Sequence, residues 1–213
     1  MTSAFRAEDG WGCPATGPRC AVMKTAGGST VSAGAVDRLD PAVEMMRVHN
    51  VHERCFTVPS AQVGVLLDAL ASADDRLWPS THWPQIRLDR PLQVGAAGGH
   101  GPIRYVVDAY EPGRSVRFRL REPHGFDGFH GFEVIATSAQ RTTLRHVLDM
   151  TPRGPALLTW PFVFRPLHDA LVEDCLDNAA RAVGETPASR PWPWSVRMLR
   201  RGFRFLAGRK NQR

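Results

Sequence analysis

Cysteine is scarce in this chain of 213 residues, which has four (Cys13, Cys20, Cys55 and Cys175) and only two tyrosines. Four scattered cysteines cannot build the disulfide framework of a small secreted scaffold. Cys13 and Cys20 are separated by six residues, a spacing that matches no common zinc motif, so no metal is expected. Long apolar runs are missing as well. The nearest approach, Leu157 to Val172, is cut by Pro161, Arg165, Pro166, His168 and Asp169, well short of the roughly 20 apolar residues that a bilayer-spanning helix needs. The N-terminus lacks the apolar core of a signal peptide, and the expectation is a soluble cytoplasmic protein. Acids are absent after Glu185, where eight Lys or Arg residues follow, while the rest of the chain carries 19 basic against 21 acidic side chains. The net charge of +6 therefore belongs to the tail.

What is present fits one ordinary domain with flanking segments. Residues 1–42, rich in Gly, Ala, Ser, Thr and Pro, show neither a strand nor a helix period and are expected to be disordered. A domain is expected over 43–185. It opens with a strand over Met46–Val58, where Val48, Asn50, His52, Arg54 and Phe56 form one of two alternating sets. Ser60 is placed to cap a helix over Ala61–Leu70, and a second short helix is expected over Asp74–Pro79. Ile86–Val94 reads as a strand and Gly95–Gly101 as a flexible glycine-rich loop.

From Ile103 to Met150 the chain alternates apolar and polar residues through four runs, Ile103–Glu111, Ser115–Arg121, Gly128–Thr137 and Arg141–Thr151. Val116, Phe118 and Leu120 alternate with Arg117, Arg119 and Arg121, giving that strand one buried and one solvated face. From Pro155 the period becomes helical, with a kink at Trp160-Pro161 and Arg165-Pro166 and a helix ending before Gly184. Its stripe of Leu167, Leu171, Cys175, Ala179 and Ala182 has to be buried. The nearest uncovered apolar surface is the meander just before it, so the antiparallel sheet is expected to curl around this helix. The fold class is α+β, a helix-grip arrangement with two short helices after the first strand and an internal cavity.

This order of elements resembles the SRPBCC superfamily, also called START-like, over residues 46–184. The superfamily includes the birch-pollen allergen type and the polyketide cyclase/dehydrase groups. Gly99-His100-Gly101-Pro102-Ile103-Arg104-Tyr105, Tyr110-Glu111-Pro112-Gly113-Arg114 and Arg165-Pro166-Leu167-His168-Asp169-Ala170 are similar to segments of actinobacterial members. The resemblance implies a small-molecule role but no catalytic residues, because no single catalytic motif defines the superfamily.

The cavity lining expected from strand parity is Tyr105, Val107, Val116, Phe118, Leu120, His130, Phe132, Val134, Leu144, His146 and Leu148, with Leu171 and Cys175 from the helix. A turn centred on Ser138 would set Phe132 opposite Leu144 and His130 opposite His146, with both imidazoles facing inward. Such a pair beside Tyr105 could move protons near neutral pH in a ring closure or dehydration. Equally, each histidine could simply satisfy a neighbour. Asp108, Glu133 and Asp149 fall on solvated faces. Asp169 suits the positive end of the helix, and a His168–Asp169 catalytic pair is the sharper alternative. Trp78, Trp83 and Trp160 either rim a cavity mouth or close a core end.

Beyond a Pro-rich linker, the tail over 186–213 is amphipathic. Arg197, Arg200, Arg201 and Arg204 share a sector of the helical wheel, while Trp194, Val196, Met198, Leu199, Phe203, Phe205 and Leu206 cover the other side. This pattern suits an anionic membrane surface, with Trp194, Arg197, Arg200, Arg201, Phe203 and Arg204 as contacts, or docking back onto the domain. Nucleic acid is not an expected partner, since phosphate contact alone brings only salt-sensitive, non-specific affinity. The expected function is binding or transport of an apolar small molecule such as a lipid or polyketide, without a cofactor. The alternative is a cyclase/dehydratase-type enzyme using His130, His146 and Tyr105.

Overall fold

The computed structural model describes residues 47–188 and 190–210, with side chains as far as Phe203. The expected N-terminal arm lies outside the described residues. Seven antiparallel strands form one curved sheet: β1 (Val48–Phe56), β2 (Arg87–Leu88), β3 (Ala97–His100), β4 (Ile103–Glu111), β5 (Ser115–Glu122), β6 (Phe126–Ser138) and β7 (Arg141–Pro152). Their order across the sheet is β1-β7-β6-β5-β4-β3-β2. The first strand thus pairs with the last, and the meander of hairpins fills the sheet between them.

Helix α1 (Ser60–Asp68) follows β1. The second short helix expected after it is a series of turns instead. The Asp75 carboxylate accepts hydrogen bonds from the backbone N–H groups of Ala71 (2.9 Å), Leu77 (2.9 Å) and Trp78 (2.8 Å). A short acidic side chain that captures backbone donors in this way competes with the helical ladder. The expected strand at Ile86–Val94 shrinks to β2, and the expected glycine loop is largely a strand, β3, paired on both sides. A Cβ at Gly98 would run into the carbonyl oxygen of Arg87, and one at Gly99 into that of Ile103. Glycine stands here because neighbouring backbones approach closely, a need that composition alone reads as looseness.

After β7 the chain forms α2 (Ala156–Thr159), a single π turn (Trp160–Phe164) and the long helix α3 (Arg165–Ala182). Pro161 and Pro166 lack the N–H groups that a continuous α-ladder would use, which accounts for the wider turn between them. Gly184, at φ +82°, ends the helix. The inner face of α3 places Leu171, Val172, Cys175, Leu176, Ala179 and Ala180 in a core with Tyr105, Val107, Val116, Phe118, Phe132 and Leu144 from the sheet. Each element supplies the apolar surface that the other must hide from water. A smaller cluster of Leu120, Phe126, Leu148, Met150, Ala156 and Trp160 closes one end.

The three tryptophans close core ends. Trp78, Trp83 and Trp160 are all buried; Trp78 donates to the carbonyl of Pro84 (3.0 Å) and Trp83 to Asp174 (2.7 Å). Helix α4 (Trp194–Lys210) returns to the domain through Val196, which is 1% exposed. The Arg200 guanidinium lies over Trp192 (3.9 Å) and Trp83 (4.5 Å) and donates to the His82 carbonyl. Arg200, expected on the membrane side, is therefore a clamp onto the domain. Among the described residues no helix is long and apolar enough to cross a membrane.

Candidate functional site

Every second residue of β1 reaches toward α3, and the helix answers with an acid on each successive turn. Asn50 Nδ2 donates to Asp169 (3.1 Å), His52 Nδ1 to Glu173 (2.8 Å), and Arg54 to Glu173 (2.9 Å) and Asp177. The period of two on the strand and four on the helix keeps these partners in step. Burial works against a charge on His52, but the hydrogen bonds it donates to Asp169 and Glu173, with the charges of those carboxylates, outweigh it and raise the imidazole to about 9. Burial likewise works against the charge on Asp169, yet its bonds to His168 and His52 hold that carboxyl well below the ordinary range.

Deeper in, histidines follow one another through the grip. His168 on α3 donates from Nδ1 toward Asp169 (3.4 Å), and its ring centre lies 5.1 Å from that of His146 on β7. His146 Nε2 is 3.4 Å from His130 Nδ1 on β6, and the His130 ring packs between Phe118 (5.2 Å) and Tyr105 (5.1 Å). His100 on β3 continues the row, 6.0 Å from Tyr105 and 4.7 Å from Trp78. Burial removes the water that would solvate an imidazolium, and neighbouring imidazoles would repel a second charge. Both effects push His130 down to about 3 and His146 well below its ordinary value. Burial also drives the Tyr105 phenol upward. At neutral pH these rings and the phenol are uncharged.

Strand parity set His130 and His146 on one face, and they lie on one face, but the register differs. Phe132 pairs with His146, Val134 with Leu144 and His130 with Leu148. An irregularity between Ala136 and Ser138 moves the turn along the chain; the resulting shift of two residues preserves which face each side chain occupies. Of the expected lining, all are buried except Val134, which is half-buried. Asp108, Glu133 and Asp149 are on the outer face, each ion-paired with an arginine: Arg117 and Arg119, Arg145, and Arg47.

Sequence reasoning left His52 and His100 out of the site and ranked His168 below the sheet histidines. His52 and His168 are more than a hundred residues apart, and only the packing of β1 on α3 joins them. The available signal was that each sits on an element expected to face the interior.

Among the described residues, Tyr105 Oη, His130 Nε2, His146 Nδ1, His168 Nε2 and Asn50 Oδ1 are buried with no hydrogen-bond partner. Leaving one such group unsatisfied costs roughly 1–3 kcal/mol. Four of the five belong to the row from Tyr105 to His168. Two surface pockets lie elsewhere: an apolar groove of about 530 Å³ between the π turn and α4, lined by Phe162, Val163, Trp194, Met198, Leu199 and Phe203, and a polar one between α3, His82 and the Pro-rich linker, at Asp174 and Trp192.

No protein-family model matches the chain, and no curated protein matches its sequence. Solved structures do match. A protein from Thermobifida fusca, known from solution NMR, is 15% identical, with 68% of this chain and 100% of that one aligned at a TM-score of 0.50. The di-domain ARO/CYC StfQ from the steffimycin biosynthetic pathway is 12% identical, covering 65% of this chain and 51% of that one, also at 0.50. Ara h 8.0201 is 12% identical, with 65% and 99% covered and a TM-score of 0.49. Identity this low speaks to architecture alone, and the architecture is the α+β helix-grip fold.

Proposed function

We propose that this chain is an SRPBCC-type carrier that binds an apolar small molecule bearing a polar group, held in the grip between the sheet and α3. The supporting observation is the row of unpartnered polar atoms on Tyr105, His130, His146 and His168 inside an otherwise apolar core. A neutral imidazole carries one donor and one acceptor, so this row can meet a hydroxyl, a carbonyl or both. Phe118, Phe132 and Leu144 supply the apolar walls. Native mass spectrometry of the purified protein is expected to show a co-purifying apolar ligand, and Tyr105→Phe to weaken it by roughly tenfold through one lost hydrogen bond. A protein that is empty and binds nothing from a lipid and polyketide panel would rule the carrier out.

A second reading is favoured by one local feature, an imidazole oriented by a carboxylate. Asp169 engages Nδ1 of His168, and Nε2 of that ring is without a partner among the described residues. An arrangement of this kind suits a general base, and it lies beside the His146–His130 pair. StfQ, described as an ARO/CYC, shares the fold. In a cyclase/dehydratase-type enzyme, His130→Ala and His146→Ala are expected to lower turnover of a polyketide substrate by about 100-fold or more while binding changes only a few-fold. Unchanged turnover would remove both histidines from any mechanism.

The outer side of the π turn and α4 supports contact with an anionic membrane. Phe162 is 72% exposed and Trp194 73%, the exposed Arg197 and Arg201 lie on α4, and the exposed Arg165 opens α3 directly after the π turn. Trp160, on the buried side of that turn, is 5.7 Å from His168. A ligand passing between bilayer and grip by this route would cross one turn of the chain.

A further inference from the structure

The meeting point of β1 and α3 has a geometry beyond the carrier reading, which uses Nε2 of His168 but neither its Nδ1 nor His52 and Asp169. His52 Nε2 lies 3.2 Å from Asp169 Oδ1, and His168 Nδ1 lies 3.4 Å from the same oxygen. Asn50 Nδ2 also points at it, from 3.1 Å. One carboxylate oxygen with two lone pairs thus faces three donors. Both histidine contacts are longer than the roughly 2.7–2.9 Å of a good charge-assisted hydrogen bond. They match another standard. Ligands at about 2.0–2.1 Å from a tetrahedral metal ion stand roughly 3.3 Å from one another.

The orientation of His52 agrees. Its Nδ1 is engaged by Glu173 Oε1 at 2.8 Å, which leaves Nε2 as the atom directed at Asp169. A carboxylate on the far nitrogen of a histidine is the usual outer support of a metal-ligating imidazole, because it sets both tautomer and ring angle. The donor atoms of His52, His168 and Asp169 all lie within 4.8 Å of one another. Asn50 Oδ1 and His168 Nε2 are buried beside them without a partner among the described residues. The site is reachable from solvent, since the Asp169 side chain is 35% exposed.

We propose that His52, His168 and Asp169 bind a divalent first-row transition ion, with Glu173 as outer support. Two imidazoles and one carboxylate suit zinc, cobalt, nickel or iron, and they discriminate against calcium and magnesium, which prefer oxygen-rich shells. Three protein ligands leave a coordination position open to water or to a bound molecule.

The test uses the full chain, stripped with chelator and titrated with Co²⁺ and Zn²⁺ by calorimetry, with the visible d–d bands of Co²⁺ as a second readout. The expected result is one ion per chain and a higher melting temperature when loaded. Asp169→Asn and His52→Gln, both close in shape to the native side chains, should weaken binding more than about a hundredfold, and Glu173→Gln by roughly 10–100-fold. Melting curves of the metal-free variants verify that each is folded. Wild-type protein that takes up neither ion would overturn the site. So would Co²⁺ spectra that are the same for wild type, Asp169→Asn and His52→Gln. Ligand co-purification is measured separately, so either reading can fail while the other stands.

Discussion

Lowering the pH from 7 to 5 is expected to remove about 6 kcal/mol of folding stability, because His100, His130 and His146 are held neutral in the core and His168 is displaced in the same direction. In the unfolded chain a histidine takes up its proton near pH 6.5. In the folded chain His100 and His130 do so only near 3, and His146 also far below its ordinary value. Between these limits the unfolded state binds more protons, so stability falls as pH falls, and the contribution is intact only above 6.5. Each histidine costs about 1.4 kcal/mol per pH unit within that window, hence about 2 kcal/mol at pH 5. For a domain of ordinary stability, about 5–15 kcal/mol, the loss is large. His52 works in the opposite sense: its value of about 9 contributes stability that is present below 6.5 and lost as pH rises toward 9. Measurements from pH 6.5 downward therefore isolate the interior rings. Urea midpoints at pH 6.5, 5.75 and 5 should fall in step, and His130→Gln should flatten the slope by about a third or less, since His100, His146 and His168 remain. A midpoint independent of pH over this range would mean that the interior imidazoles are not buried as neutral bases.

Trp194→Ala and Phe162→Ala are each expected to reduce partition onto anionic vesicles by roughly tenfold or more. Fully hiding a large apolar side chain is worth about 1.5–3 kcal/mol, and about 1.4 kcal/mol is a factor of ten. Both side chains line the groove between the π turn and α4, and both are mostly exposed in the protein, so their removal costs the fold little. Arg197→Glu with Arg201→Glu should act through charge, losing affinity that salt also removes, at about 1 kcal/mol for each basic residue near the surface. Sedimentation with vesicles of phosphatidylcholine alone, or with added phosphatidylserine, reads both effects. Wild-type protein that stays in the supernatant with anionic vesicles would dismiss the idea. Point variants are preferable to truncation at Glu185, which would strip Trp192 and Val196 from the core and Arg200 from Trp83.

Strand faces were legible from residue 103 onward because alternation is a local signal. Val116, Phe118 and Leu120 point inward as expected, and His130 and His146 share a face although their register was misjudged by two residues. Parity survives an even shift, so the face could be read without knowing the turn. The β3 strand was not legible. Its Ala-Gly-Gly-His composition signals a loop, and the reason for glycine there is a neighbouring backbone that local sequence does not show. The π turn was anticipated as a kink from its prolines. Its consequence, an outward-facing Phe162 over an inward-facing Trp160, depends on how the turn seats against Phe126.

The amino-acid order by itself determined which residues seek the interior, where the long helix begins and ends, and that the positive charge gathers in the tail. These follow from periodicity and capping, which act over a few residues. Only the tertiary structure decided that His52, His168 and Asp169 converge, that five histidines line up from β1 to β3, and that Arg200 turns back to the domain while Trp194 faces out. Such meetings depend on how separate elements pack, on distances set by register and side-chain volume across more than a hundred residues of chain.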